Sequence, residues 1–216
     1  VRLDRGALTA LTGVAAAAWV ALVLQPDGMA MGMPAFLAGW TLMMAAMMLP
    51  SIAPLVLLHR RVRGGGRSTV ALALGYLFVW AAFGLPAFAA QLALGDRAPA
   101  GAVAAVLVVA GVYQLTPLKT ACLRRCRSAL DFLMQRPQHG AVRLGLTHGI
   151  YCVGCCWGLM AVLVGAGAMG LAWAAAIAAL VFAEKLLPAG ERFARLTGIA
   201  LVVTGLVITV GAVRPG

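Results

Sequence analysis

Three cysteines in five residues stand in one short stretch, His148-Gly149-Ile150-Tyr151-Cys152-Val153-Gly154-Cys155-Cys156-Trp157. On a helix, spacings of four and three bring His148, Cys152 and Cys155 within roughly 60° of arc, with Cys156 at the edge of the same face. One imidazole and two or three thiols on one face form a donor set for a soft metal. Thiolate and thioether ligands favour Cu(I), and mixed Cys and His also suit Zn(II). Buried cysteine serves elsewhere as a small hydrophobe, but three of them beside a histidine in an apolar run go beyond what packing needs.

Two further groups carry sulfur. In Met43-Met44-Ala45-Ala46-Met47-Met48-Leu49-Pro50, a helical advance of about 100° per residue places Met44, Met47 and Met48 on one face with Trp40. Methionine commonly fills apolar helix contacts, so the run alone fits packing as well as ligation. Pro50 and Pro54 predict a kink, which frees carbonyls and often marks a cavity in a membrane helix. In Cys122-Leu123-Arg124-Arg125-Cys126, which follows Thr116-Pro117-Leu118-Lys119, helical geometry would put both thiols at i and i+4. The neighbouring Lys119 and arginines favour thiolate there, for metal ligation or reaction. The bland alternative is an amphipathic turn with its arginines at lipid headgroups.

Two smaller features complete the inventory. Met29, Met31 and Met33 alternate in Gly28-Met29-Ala30-Met31-Gly32-Met33-Pro34, a pattern able to capture a soft cation or simply to cap a helix. Glu184 and Glu191 bracket Lys185, Pro188 and Gly190. A Glu-Lys pair beside a proline reads as a helix end with a snorkelling charge, although Glu184 is also able to compensate a cation or accept a proton.

The elements that must position these residues follow from composition. Hydrophobic residues make up 63% of the chain and charged residues 11%, too few polar side chains to cover a water-soluble surface. A bilayer core needs about 20 apolar residues per helix. The uncharged stretches predict helices at residues 7–24, 35–58, 68–94, 98–118, 144–165, 170–187 and 196–213. The fifth and sixth of that series come from one stretch too long for a single crossing, divided by a turn at Gly165-Ala166-Gly167-Ala168. The expected fold is an all-α, polytopic transmembrane bundle of about seven helices, a single transmembrane domain over residues 1–216. The first stretch is long for a signal core and lacks a clean cleavage site after Gln25-Pro26-Asp27-Gly28, so it counts as a helix.

The net charge of +11 is a matter of orientation rather than of nucleic acid. With the N-terminus inside, the inner segments hold Arg2, Arg5, Arg60, Arg61, Arg63, Arg67, Lys119, Arg124, Arg125, Arg127, Arg136, Arg143, Lys185, Arg192 and Arg195, which is 15 of the 17 Lys and Arg. Only Arg97 and Arg214 fall outside. The positive-inside rule then places the N-terminus in the cytoplasm and the C-terminus outside, in a bacterial cytoplasmic (inner) membrane, with anionic headgroups as neighbours of the basic loops. At about 1.5 Å per residue, Met44 to Met48 and Cys155 with Cys156 reach mid-bilayer. Cys152 and His148 step toward the inner face, and Cys122 and Cys126 wait at its boundary.

Several of these blocks occur together elsewhere. Met43 to Pro50, Tyr113 to Arg127, Gly154-Cys155-Cys156-Trp157 and the Glu184-Lys185 pair ahead of Pro188 resemble an uncharacterised bacterial family of predicted metal-binding integral membrane proteins. The resemblance runs from about Gly32 to Val202. It implies Met44, Met47, Met48, Cys122, Cys126, Cys152, Cys155, Cys156, Glu184 and Lys185 as the family pattern; the first helix and the outer Met motif lie outside it.

The metal-ligand candidates are therefore Met44, Met47, Met48, Cys122, Cys126, His148, Cys152, Cys155 and Cys156. The leading expectation is a Cu(I)-handling membrane protein, a carrier or a factor that passes copper to a partner membrane or periplasmic protein, with Zn(II) the second candidate ion. No phosphate-binding loop or aspartyl-phosphorylation motif is present, and an enzyme is not expected. A thiol–disulfide electron relay across the membrane is the rival from another class; five cysteines and none on the outer loops fit it less well. A structural or assembly subunit is the third. Retinal chemistry is excluded by the lack of a lysine in the last helix.

Overall fold

A computed structural model of the protein describes residues 5–24, 32–95, 98–165 and 170–213. All its regular structure among these residues is helical: α1 Arg5–Leu24, α2 Met33–Met48, a short 3₁₀ turn Pro50–Ile52, α3 Ala53–Arg63, α4 Gly66–Leu94, α5 Ala100–Gln114, α6 Pro117–Arg127, α7 Ala129–Met134, α8 Ala141–Gly165, α9 Leu171–Leu186 and α10 Gly190–Val213. Four of these are long and apolar enough to cross a membrane, Gly6–Leu24, Gly66–Leu94, Ala141–Gly165 and Gly190–Gly211. Counting each of two bent pairs as one span raises the number to six. At 16 residues, α9 is short of a full crossing by itself. Gly165 is the last residue of α8; the rest of the turn expected there, with Met29 and Met31, lies outside the described residues, and Met33 opens α2 with its side chain exposed.

The helices overrun the uncharged stretches. α3 continues to Arg63, α8 begins at Ala141 and α10 at Gly190, because long basic side chains can extend from a helix end without breaking it. The segment from Lys119 to Arg143 holds α6 and α7.

Two helix pairs are bent at a proline. α2 and the segment Pro50–Arg63 meet at 43°. Pro50 has no N–H to give, and the Ile52 N–H donates to Leu49 O at 3.2 Å. The Met48 carbonyl instead accepts the Ser51 hydroxyl at 2.8 Å. α5 and α6 meet at 66°, where the sequence suggested one helix running to Leu118. Thr116 receives the Lys119 N–H on its hydroxyl at 3.2 Å, and Pro117 takes the first helical position, where a missing N–H costs nothing. Thr116-Pro117 therefore starts a new helix in a new direction.

The chain divides into two compact units, Val1–Leu85 with Arg125–Val153, and Pro86–Arg124 with Gly154–Gly216. α8 runs on from the first into the second as one helix. In the first unit α1 lies on α2 and α3, and α3 on α7. The Trp40 indole donates to Trp80 O at 3.0 Å, and the Arg63 guanidinium donates to the carbonyls of Arg136, Pro137 and His139, tying the end of α3 to the link before α8. α4 and α8 cross backbone to backbone at Gly145, where a Cβ would stand 2.1 Å from Leu72 O; only glycine fits. In the second unit α10 packs on α5 and α9.

Burial of the methionine run extends beyond the face that Met44, Met47 and Met48 share with Trp40. Met43, Met44, Met47 and Met48 are all buried, with the intervening Ala45 and Ala46. This part of α2 is enclosed on every side, so no single face is marked out by burial.

Candidate metal centre

α8 brings three sulfurs together by its own pitch. The thiols of Cys152, Cys155 and Cys156 lie within 4.8 Å of one another, the last two at 3.3 Å, and all three residues are buried. A metal–sulfur bond of about 2.3 Å with trigonal angles separates two sulfurs by roughly 4 Å, so small rotamer changes suffice to seat one soft ion. His148 is one turn earlier and buried, but the closely grouped set does not include it. Its ring packs edge-on against Phe132 at 4.9 Å and lies 6.0 Å from the Tyr76 ring.

On the side of Cys152, Tyr76 of α4 makes the connection. Its hydroxyl is 3.0 Å from Cys152 Sγ and 3.5 Å from Met48 O. One phenol thus touches the first thiol of the set and the carbonyl that the Pro50 break released. The glycine crossing at Gly145 is what lets α4 come close enough for this. Sequence reasoning passed over Tyr76; a lone phenol in an otherwise apolar helix was the available signal, since a buried tyrosine hydroxyl usually finds a partner.

On the side of Cys155 and Cys156 the neighbours are charged. Lys119, buried on the first turn of α6, donates from Nζ to Cys155 O at 2.5 Å and to Glu184 Oε2 at 2.5 Å. Gln114, the last residue of α5, donates to Glu184 Oε1 at 2.6 Å. Tyr113 donates to Gly154 O, and its ring lies 4.6 Å from that of Trp157. Cys122 reaches α8 at Gly154, where a Cβ would come within 2.9 Å of its Sγ. Cys126, one turn further along α6, is half-buried, as Cys122 is.

The snorkelling expected of Glu184 and Lys185 is corrected by this geometry. Both are buried, and Glu184 is held by Lys119 and Gln114 rather than by water. The reason is the bend at Thr116, which turns Lys119 inward toward α9. The sequence marks Lys119 as an inner charge beside Cys122 and carries Gln114 only within the block Tyr113 to Arg127, with nothing to join either to Glu184. Of the predicted donors, then, Cys152, Cys155 and Cys156 form one group, Cys122 packs against the helix that carries it, and Met48 meets Tyr76 through its backbone. For Met44 and Met47 burial within α2 is what the structure gives.

No solved structure and no curated protein matches the chain. A family model described as PpoB2, copper chaperone, matches residues 37–208, a span from the second turn of α2 to the last turns of α10 that takes in all five cysteines and the run Met43 to Met48. The chain belongs to the PpoB2 copper chaperone family.

Proposed function

We propose that the protein is a membrane-embedded copper chaperone that holds Cu(I) on Cys152, Cys155 and Cys156 and passes it to a partner protein. The observation that carries this is the convergence of three buried thiols on one helix, in a chain with four to six helices fit to cross a bilayer. Each thiol that binds loses its proton to water, and copper remains Cu(I) throughout, so no oxidant or reductant is required. Met44, Met47, Met48 and His148, all buried, are the further donors of this reading. Cys122 and Cys126, half-buried where the other three are buried, are the sulfurs through which copper leaves or arrives by stepwise ligand exchange. Zn(II) is the poorer cargo because thioether seldom binds it. Burial of the three thiols also withholds them from a dithiol partner, which disulfide exchange would need.

Elemental analysis of detergent-purified protein tests this. Copper should co-purify or be taken up as Cu(I), and replacing both Cys152 and Cys155 by Ser should abolish it in a folded protein. Replacing Met44 and Met47 by Leu should weaken Cu(I) retention and leave Zn(II) little changed, with stability altered by less than about 1.5 kcal/mol. Copper stoichiometry that survives both double substitutions would refute the assignment. The same proposal has seven spans, N-terminus inside and C-terminus outside, on the distribution of Lys and Arg. A reporter at Gly65 should be cytoplasmic and one after Arg214 external; the same side for both would remove one span.

A further inference from the structure

We infer that Lys119 is the fixed counter-cation of the copper–thiolate complex and that Glu184 holds that cation in place when the thiols are empty. This rests on the assignment of Cys155 and Cys156 as copper ligands.

The inference starts from an anomaly of placement. Lys119 occupies the first turn of α6, where the helix N-terminus already carries partial positive charge and favours acids. It is also buried, with Glu184, at about 1% exposure each. An ion pair taken out of water rarely stabilises a fold better than apolar residues of the same size, and ionisable side chains among apolar helices mark function by default. Local helix stability and packing therefore both argue against a lysine here.

The geometry supplies a role. Cu(I) bound by two thiolates carries a net charge of −1, and by three −2. Such an anion is costly in an apolar interior unless a positive charge stands beside it. Lys119 Nζ is anchored on the Cys155 carbonyl at 2.5 Å, in the peptide link that joins the two thiol-bearing residues Cys155 and Cys156. The first turn of α6 adds its own positive field at the same place. A lone buried ammonium would itself be an uncompensated charge. Glu184 prevents that through its contact at 2.5 Å, and Gln114 fixes its second oxygen. The ammonium is thus held between two acceptors, one on α8 and one on α9, and Gln114 of α5 fixes the second of them.

A merely structural ion pair and a counter-cation are separated by removing both charges together. Lys119→Met with Glu184→Gln leaves no unpaired buried charge, so the protein should fold, as judged by size-exclusion profile and thermal unfolding in detergent. Cu(I) affinity, measured by competition with a soluble Cu(I) chelator, should nonetheless fall by roughly tenfold to a hundredfold, and the ultraviolet Cu(I)–thiolate absorption should weaken at equal copper. Lys119→Arg, which keeps the charge, should restore most of the affinity. Wild-type affinity in the folded double variant would overturn the counter-cation, as would an arginine variant no better than methionine. Copper absent from the wild type, or unaffected by the Cys152→Ser/Cys155→Ser control, would instead overturn the copper site itself.

Discussion

Two ion pairs leave α6 five residues apart, and they obey different physics. Lys119 with Glu184 is buried at 1% on both sides; Arg124 with Glu191 stands at 67% and 33% exposure, 2.7 Å apart. The outer pair has the better hydrogen-bond geometry, since the arginine uses two donors on two carboxylate oxygens. Water and salt still reduce its contribution to little. The inner pair has one direct bond, yet its partners have nowhere else to find compensation. What differs is the medium, and a lysine that could be spared on the surface becomes indispensable to its glutamate inside.

That contrast can be broken in three graded ways. Glu184→Gln alone leaves Lys119 charged, buried and without its carboxylate, and should cost about 3–5 kcal/mol of unfolding free energy, largely recovered on adding Lys119→Met. Chemical unfolding in detergent measures it, and a cost near zero would mean that water reaches the pair. Gln114→Ala removes one donor to a charged acceptor and should cost about 1–3 kcal/mol, leaving the ion pair formed. Arg124→Ala should be the mildest. Its unfolding midpoint is expected to match wild type at moderate salt, with any low-salt difference vanishing as ionic strength rises; a large loss would show that the outer pair also anchors α6 against α10.

The parts of this arrangement legible in the sequence are those set by local periodicity. Cys152, Cys155 and Cys156 share a face of α8 because three and four residues make about one helical turn, which holds wherever the helix goes. The proline breaks at Pro50 and Pro117 were likewise readable as residues without an N–H, although the first was read as a kink and the second not as a change of direction. The Lys119–Glu184 contact joins residues 65 positions apart, and no periodicity links them. It depends on the 66° bend between α5 and α6, and a sequence shows that a bend occurs more readily than where it points. Methionine was harder for the opposite reason. Its helical face could be computed, but α2 is enclosed all round between Met43 and Leu49, and an enclosed helix has no face to distinguish. The helix bounds, finally, were drawn where charge begins, whereas the helices end where glycine, proline or a cap ends them.

The neighbours of Trp157 carry a practical corollary. Its ring sits 4.6 Å from Tyr113 and follows Cys156 directly in the chain, while Tyr113 is bonded to the backbone between the thiols at Gly154. An excited tyrosine at that range hands its energy to the indole, so light absorbed by either ring is emitted by one fluorophore standing beside the sulfurs. A heavy soft ion seated there opens a non-radiative route for that excited state. With copper on those thiols, as proposed, the emission of Trp157 would gauge loading once the other four of the five tryptophans are replaced.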